Sequence, residues 1–123
     1  MKYQGLIWAG IYVEDLEACI LFYQNVLGLP LLGQGEDWAH FDSGAGTLLE
    51  LFTGGKHGQK PKKPDQQSIV LGLRVDNLDR AVAELQQKGV QFIPDSSGEF
   101  AGTRWAHFAD MEGNRLEVKE IPE

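Results

Sequence analysis

Cysteine is almost absent from this chain. Cys19 stands alone, so no internal disulfide can form, and a reducing compartment, the cytoplasm, is the expected setting. Long apolar runs are absent too: none approaches the ~18 residues that a membrane-crossing helix requires. No basic-then-apolar leader opens the sequence, so neither export nor a membrane partner is expected. Basic charge is scarce, with 11 Lys and Arg against 18 Asp and Glu and a net charge of −7. That balance argues against a nucleic-acid partner. What is present suits one soluble domain: 123 residues, 42% hydrophobic, long enough to bury a core without staples.

The chain repeats itself. Trp38-Ala39-His40-Phe41 recurs letter for letter as Trp105-Ala106-His107-Phe108, an offset of 67 residues. At the same offset Gly46 matches Gly113, Leu49 matches Leu116, Glu50 matches Glu117 and Leu51 matches Val118. The period exceeds the roughly 20–50 residues of solenoid units, so a duplicated half-domain is the better reading. Between the halves, residues 54–67 hold Lys56, Lys60, Lys62 and Lys63 against Asp65 alone, a local charge of +3 that leaves −10 elsewhere. Their Gly, Pro and Lys content reads as an exposed, mobile connector, with His57 solvated. The expected organisation is a single domain over 1–123, with module one at 1–53, the linker at 54–67 and module two at 68–123.

Each half parses in the same order. Leu6–Val13 reads as a strand. Asp15 then precedes Leu16, Cys19, Ile20, Tyr23, Val26 and Leu27, the spacing of one buried helix face, with Gly28 as the stop. On that face Cys19 reads as a buried structural thiol. Strands are expected at Pro30–Gly33, Trp38–Phe41 and Thr47–Phe52, with a turn at Ser43–Gly46. The second half gives a strand at Ile69–Val75, then a helix capped by Asn77 with Leu78, Ala81, Val82 and Leu85 inward and Gly89 at its end. Strands at Val90–Ile93, Arg104–Phe108 and Arg115–Lys119 follow, the last two joined through Glu112–Asn114. The order is βαβββ, twice.

Val13-Glu14-Asp15-Leu16, Phe22-Tyr23 and Val26-Leu27-Gly28-Leu29 resemble the opening signature of the vicinal oxygen chelate superfamily. This group includes the glyoxalases I, the bleomycin- and fosfomycin-resistance proteins and the extradiol dioxygenases. Asp110-Met111-Glu112-Gly113-Asn114-Arg115-Leu116-Glu117 is similar to its closing signature, usually Asp-Pro-Asp-Gly-Asn with a Glu shortly after. The resemblance spans essentially the whole chain. It implies an α+β fold of two tandem βαβββ modules whose strands form an open, cup-like mixed barrel, often assembled as a homodimer.

The resemblance also implies a divalent metal held by a His on the first strand, a Glu on the fourth, a His on the fifth and a Glu on the eighth. Five residues before Val13 stands Trp8, and five before Val75 stands Val70; neither binds metal. The glutamates survive as Glu50 and Glu117. Two carboxylates without imidazoles suit zinc, nickel or iron poorly, so no metal cofactor is expected and a dioxygenase is disfavoured. Strand alternation offers a fallback. If Leu49 and Leu51 face the core, Glu50 faces the cup, and Trp38, His40, Trp105, His107, Arg115 and Glu117 share that side. His40, Glu50, His107 and Glu117 would then make a relocated metal site. The simpler expectation is that each His hydrogen-bonds its cross-strand Glu and keeps that carboxylate ionised.

Trp8, Trp38 and Trp105 fall at cup-facing positions and read as a stacking wall, since ligand pockets are mostly apolar with a few placed polar groups and indoles attract cations. Arg104 and Arg115 read as surface residues, or one of them as a partner for Glu117. Two function classes follow. One is a metal-free binding protein that takes a small aromatic or cationic molecule through Trp8, Trp38, His40, Trp105, His107 and Arg115. The other is a lyase or isomerase of the glyoxalase type with Glu50 or Glu117 as catalytic base.

Overall fold

The computed structural model describes residues 1–123. The chain forms two compact units, Met1–His57 and Gly58–Glu123. In the first, β1 (Trp8–Val13) leads to α1 (Leu16–Leu21), followed by β2 (Leu31–Gln34), β3 (Trp38–Gly44) and β4 (Thr47–Thr53). In the second, β5 (Leu71–Arg74) leads to α2 (Leu78–Gln87), then β6 (Gly98–Phe100), β7 (Thr103–Ala109) and β8 (Arg115–Glu120). Each unit is thus one βαβββ module. The sheets have the orders β1-β4-β3-β2 and β5-β8-β7-β6. β1 runs parallel to β4 and β5 parallel to β8, and the remaining pairs are antiparallel. No helix is long and apolar enough to cross a membrane.

The helices start where the sequence supplies side-chain acceptors. Asp15 accepts from the Ala18 amide at 3.2 Å and Asn77 from the Arg80 amide at 2.9 Å, each satisfying a donor that the first helical turn leaves orphaned. After α1 the chain widens into a π-helical turn, Phe22–Val26, which delivers Tyr23 to the core at 0% exposure. Beneath α1 lie Val13, Cys19, Ala39, Phe41 and Leu51, all fully buried. Their counterparts in the second unit are Leu85, Ala106, Phe108, Leu116 and Val118.

One expected strand is absent. Val90–Ile93 makes only an isolated bridge, Phe92 to Phe108, and the edge strand of the second sheet is Gly98–Phe100 instead. Pro94 has no N–H to give the ladder, and Asp95 adopts φ +58°, so pairing breaks there. Ser96 Oγ bridges the gap, donating to the Ile93 carbonyl at 2.6 Å and accepting from the His107 amide at 3.2 Å. Arg104 stays at the surface and does not pair with Glu117. It lies on the helix-covered side of β7 and pairs with Asp79 of α2 at 2.8 Å, holding that carboxyl below the usual carboxylate range.

The second half of the connector is tied to module two. The Gly58 and Lys62 amides donate to the Glu112 and Gly113 carbonyls at 2.9 and 2.8 Å, and Lys62 Nζ reaches Asn114 Oδ1 at 2.8 Å. The β7–β8 turn is itself built on a buried carboxylate. Asp110 Oδ1 accepts from the Glu112 and Asn114 amides at 2.9 Å, while Oδ2 accepts from Asn114 Nδ2 at 3.0 Å. Gly113 sits at φ +94°, and a Cβ there would overlap the Gln59 carbonyl. Gly113→Ala is therefore expected to destabilise the protein by about 2 kcal/mol or more, combining backbone strain with a backbone clash. Urea unfolding measures this, and a loss below about 0.5 kcal/mol, the usual size of a surface substitution, would contradict the packing.

Candidate functional site

Alternation divides the side chains of each sheet sharply. Ala39, Phe41, Leu49 and Leu51 are 0–3% exposed, so Trp38, His40, Leu48, Glu50 and Phe52 project from the opposite, helix-free face. In module two, Ala106, Phe108, Leu116 and Val118 are buried, and Trp105, His107, Arg115, Glu117 and Lys119 share the open face. Cross-strand register then fixes the partners: His40 stands opposite Glu50 and His107 opposite Glu117. Both glutamates also lie beside a glycine of the parallel neighbour, Gly10 for Glu50 and Gly72 for Glu117.

In module one, Trp8 Nε1 donates to Glu50 Oε1 at 3.0 Å, and His40 Nε2 approaches the same oxygen to 3.2 Å. Trp8, five residues before Val13, thus turns its N–H onto the carboxylate. Trp38 leans over His40 with ring centroids 4.8 Å apart, and Phe52 stacks on Trp8 at 6.3 Å and 13°. Both indoles remain exposed, Trp8 more than Trp38.

In module two the glutamate is held differently. His107 Nε2 meets Glu117 Oε2 at 2.9 Å and Lys119 Nζ meets Oε1 at 3.1 Å. Arg115 Nη1 lies 3.1 Å from His107 Nδ1. Guanidinium only donates, so Nδ1 must accept, which leaves the proton on Nε2, facing Glu117. Neither arginine pairs with Glu117, contrary to the alternative considered from sequence. Lys119 does, because it shares the strand face two residues along, while Arg115 is occupied by the imidazole. Burial pushes the Glu117 carboxyl up, but the hydrogen bonds from His107 and Lys119 and the charge of Lys119 outweigh it. The carboxyl ends below the usual glutamate range. Lys119 Nζ also sits 5.6 Å from the Trp105 ring centroid, within cation–π reach.

Several contributors were missed from sequence. Lys119 and Phe52 follow Glu117 and Glu50 by two positions, and extending the alternation by one step would have placed both on the open face. Gly10, Gly35 and Gly98 have no comparable signal. A Cβ at Gly10 would overlap the Trp8 ring, one at Gly35 the Trp38 ring and one at Gly98 the Trp105 ring. Each indole thus occupies the space that a side chain at the glycine would need. No group of three or more His, Cys, Asp or Glu side chains is placed to hold a metal ion; each module joins one imidazole to one carboxylate.

The depressed Glu117 carboxyl links stability to pH. A folded pKa below the unfolded one stabilises the protein fully above the unfolded value, and this contribution is lost as pH falls through the folded value. Glu117→Gln is therefore expected to lower the melting temperature near pH 7, with the deficit shrinking steadily below about pH 4.3, the ordinary glutamate value. Thermal scans of both proteins from pH 7 to pH 3 check this, and a deficit independent of pH would refute it.

Comparison with known proteins agrees with this architecture. A Bacillus subtilis protein of unassigned role, YraH, is 28% identical over 127 aligned positions, covering 94% of this chain and 98% of its own. The metallothiol transferase FosB of Lysinibacillus sphaericus is 30% identical over 108, covering 85% of this chain and 74% of its own. The crystal structure of TnmS3, an antibiotic binding protein from Streptomyces sp. CB03234, matches with a TM-score of 0.74 and 27% identity, over 99% of both chains. The family profile of the Glyoxalase/Bleomycin resistance protein/Dioxygenase superfamily matches residues 5–118, and with two βαβββ modules of the same strand order, this chain belongs to that superfamily.

Proposed function

We propose that this protein binds a small planar aromatic or cationic molecule, offering Trp8 and Trp38 as stacking surfaces in module one, beside Glu50 and His40 as polar contacts, and Trp105 as a stacking surface of module two. The observation that carries this reading is the set of three indoles, each set against a glycine and partly exposed beside a histidine–glutamate pair. A ring packed into the space beside a glycine is held in place, so less side-chain entropy remains to be lost when a ligand stacks on it. An antibiotic binding protein among the relatives is consistent with this role. On this reading the protein acts in the cytoplasm, where Cys19 stays a thiol, and pairs as a homodimer. Exposed Leu6, Ile7, Tyr12, Ile69 and Phe100 offer apolar surface for such an interface.

The donor set argues against the family's metal. Trp8 offers only an N–H where a nitrogen lone pair is needed, Val70 offers nothing, and Glu117 already carries an ammonium. The enzymatic alternative is weaker for Glu117, whose carboxyl is held low and is a correspondingly poor base at neutral pH.

Cation–π attraction of about 0.5–2 kcal/mol per indole corresponds to roughly two- to thirtyfold in affinity. Titration with planar aromatic cations is expected to quench tryptophan fluorescence, with Trp38→Ala and Trp105→Ala each weakening binding within that range. A panel that leaves fluorescence unchanged at about millimolar concentration, the weak limit of specific binding, would remove the proposal.

A further inference from the structure

We propose that Glu50 Oε2, in module one alone, is the acceptor for the cationic or N–H-donating head of the ligand, while Glu117 serves as an internal anion. The inference rests on the ligand-binding reading above and names the chemistry that reading leaves open.

Both contacts to Glu50 converge on one oxygen. Oε1 receives the Trp8 N–H and the approach of His40 Nε2, and Oε2 has no partner within the protein. No buried side-chain oxygen lacks a hydrogen bond, so Oε2 is open to solvent, on a side chain that is 21% exposed. Glu117 is saturated by comparison, with His107 on Oε2 and Lys119 on Oε1. The repeat locates the origin of the difference. At the offset of 67, Lys119 corresponds to Phe52 and Arg115 to Leu48. Module one has therefore exchanged both cations that occupy the module-two pair for apolar side chains.

The surroundings of Oε2 favour one sign of charge. The open face of β1, β3 and β4 carries Tyr12, His40, Asp42 and Glu50 as its ionisable side chains, with no Lys or Arg. Asp42, at the turn end of β3, accepts from the Gly44 amide on one oxygen at 2.8 Å and adds to the negative charge of this face, while Glu50 is the carboxylate that the Trp8 N–H holds beside the indole. Phe52 and Trp8, stacked 6.3 Å apart, flank it with aromatic surface. A flat ring carrying an ammonium, amidinium or ring N–H meets both demands at once. A carboxylate or phosphate meets repulsion.

Calorimetric titration with N-methylquinolinium and with neutral quinoline, at a pH where quinoline is unprotonated, tests this directly. The cation is expected to bind wild-type protein more tightly. Glu50→Gln, which keeps the size of the side chain, should weaken the cation about tenfold or more, as loss of a charge-assisted contact does, and should narrow its advantage over quinoline. Phe52→Lys, which installs the module-two ammonium, should do the same. Glu117→Gln should weaken the cation by no more than about threefold, since no hydrogen bond to the ligand is lost. Equal affinity for both probes, or a loss in Glu117→Gln as large as in Glu50→Gln, would overturn the inference and leave the binding reading standing. Absence of heat with either probe would remove both. Should Phe52→Lys fail to fold, the isosteric Glu50→Gln decides alone.

Discussion

Strand alternation, locked by burial of one sheet face, is the constraint on which the rest of this molecule depends. Phe41, Leu51 and Phe108 are fully buried, and a one-residue slip in β3, β4, β7 or β8 would turn such residues outward and carry Glu50 or Glu117 into the core. An unpaired buried carboxylate costs several kcal/mol, and exposing a large apolar side chain costs about 1.5–3 kcal/mol more. The register therefore cannot drift. The histidine–glutamate pairs follow from it, because the side chains between the core residues have only the open face to occupy. The polar cluster is a geometric product of the core.

Within that frame, the identity of a few residues decides the chemistry. Trp8 stands where the sequence resemblance implies an imidazole. The two side chains share a ring N–H, but indole lacks the in-plane lone pair through which histidine ligates. Glu50 therefore receives a neutral donor on one oxygen, 3.0 Å away, and keeps the other open. Module two reaches a different end. Val70 contributes no polar atom, and Lys119 supplies a permanent charge at 3.1 Å. One glutamate is half engaged by neutral and imidazole donors, and the other is neutralised within the fold.

Much of this was legible in the sequence, for physical reasons that also mark where legibility ends. The helix starts at Asp15 and Asn77, the two βαβββ modules and the cross-strand pairing of His40 with Glu50 and His107 with Glu117 depend on local capping and period-two patterning, which a linear sequence records directly. The edge strand at Gly98–Phe100 was not legible, because its short, exposed residues carry no apolar alternation, while Val90–Ile93 does without forming a ladder. The glycine against each tryptophan was not singled out either: Gly10 follows Trp8 by two residues on β1, Gly35 precedes Trp38 by three, and Gly98 meets Trp105 across β6 and β7, so no one spacing marks them. Lys119 was hidden by a different cause. It lies two residues beyond Glu117 on the same strand, and a lysine there reads as solvated unless the alternation is carried one step further.

The hairpin turns of the two modules carry the same asymmetry as the glutamates. At the repeat offset, Asp110 corresponds to Ser43 and Asn114 to Thr47. In module two, the carboxylate and amide are buried at 0% and 6% exposure and gather three hydrogen bonds, with Lys62 closing over them. In module one, hydroxyls replace them, Ser43 Oγ lying 2.6 Å from Thr47 Oγ1 in a half-buried turn whose carboxylate, Asp42, is not buried. A buried, fully bonded polar network specifies geometry firmly, because each member is costly to strand. Small hydroxyls at a partly wet turn impose less. Module two thus concentrates charge in contacts internal to the fold, at the turn and at Glu117. Module one holds its turn with hydroxyls and a carboxylate that is not buried, and leaves one oxygen of Glu50 unpaired. Duplication allows such a division, since the half whose polar groups are all engaged can hold its sheet together while the other keeps a group in reserve for a ligand.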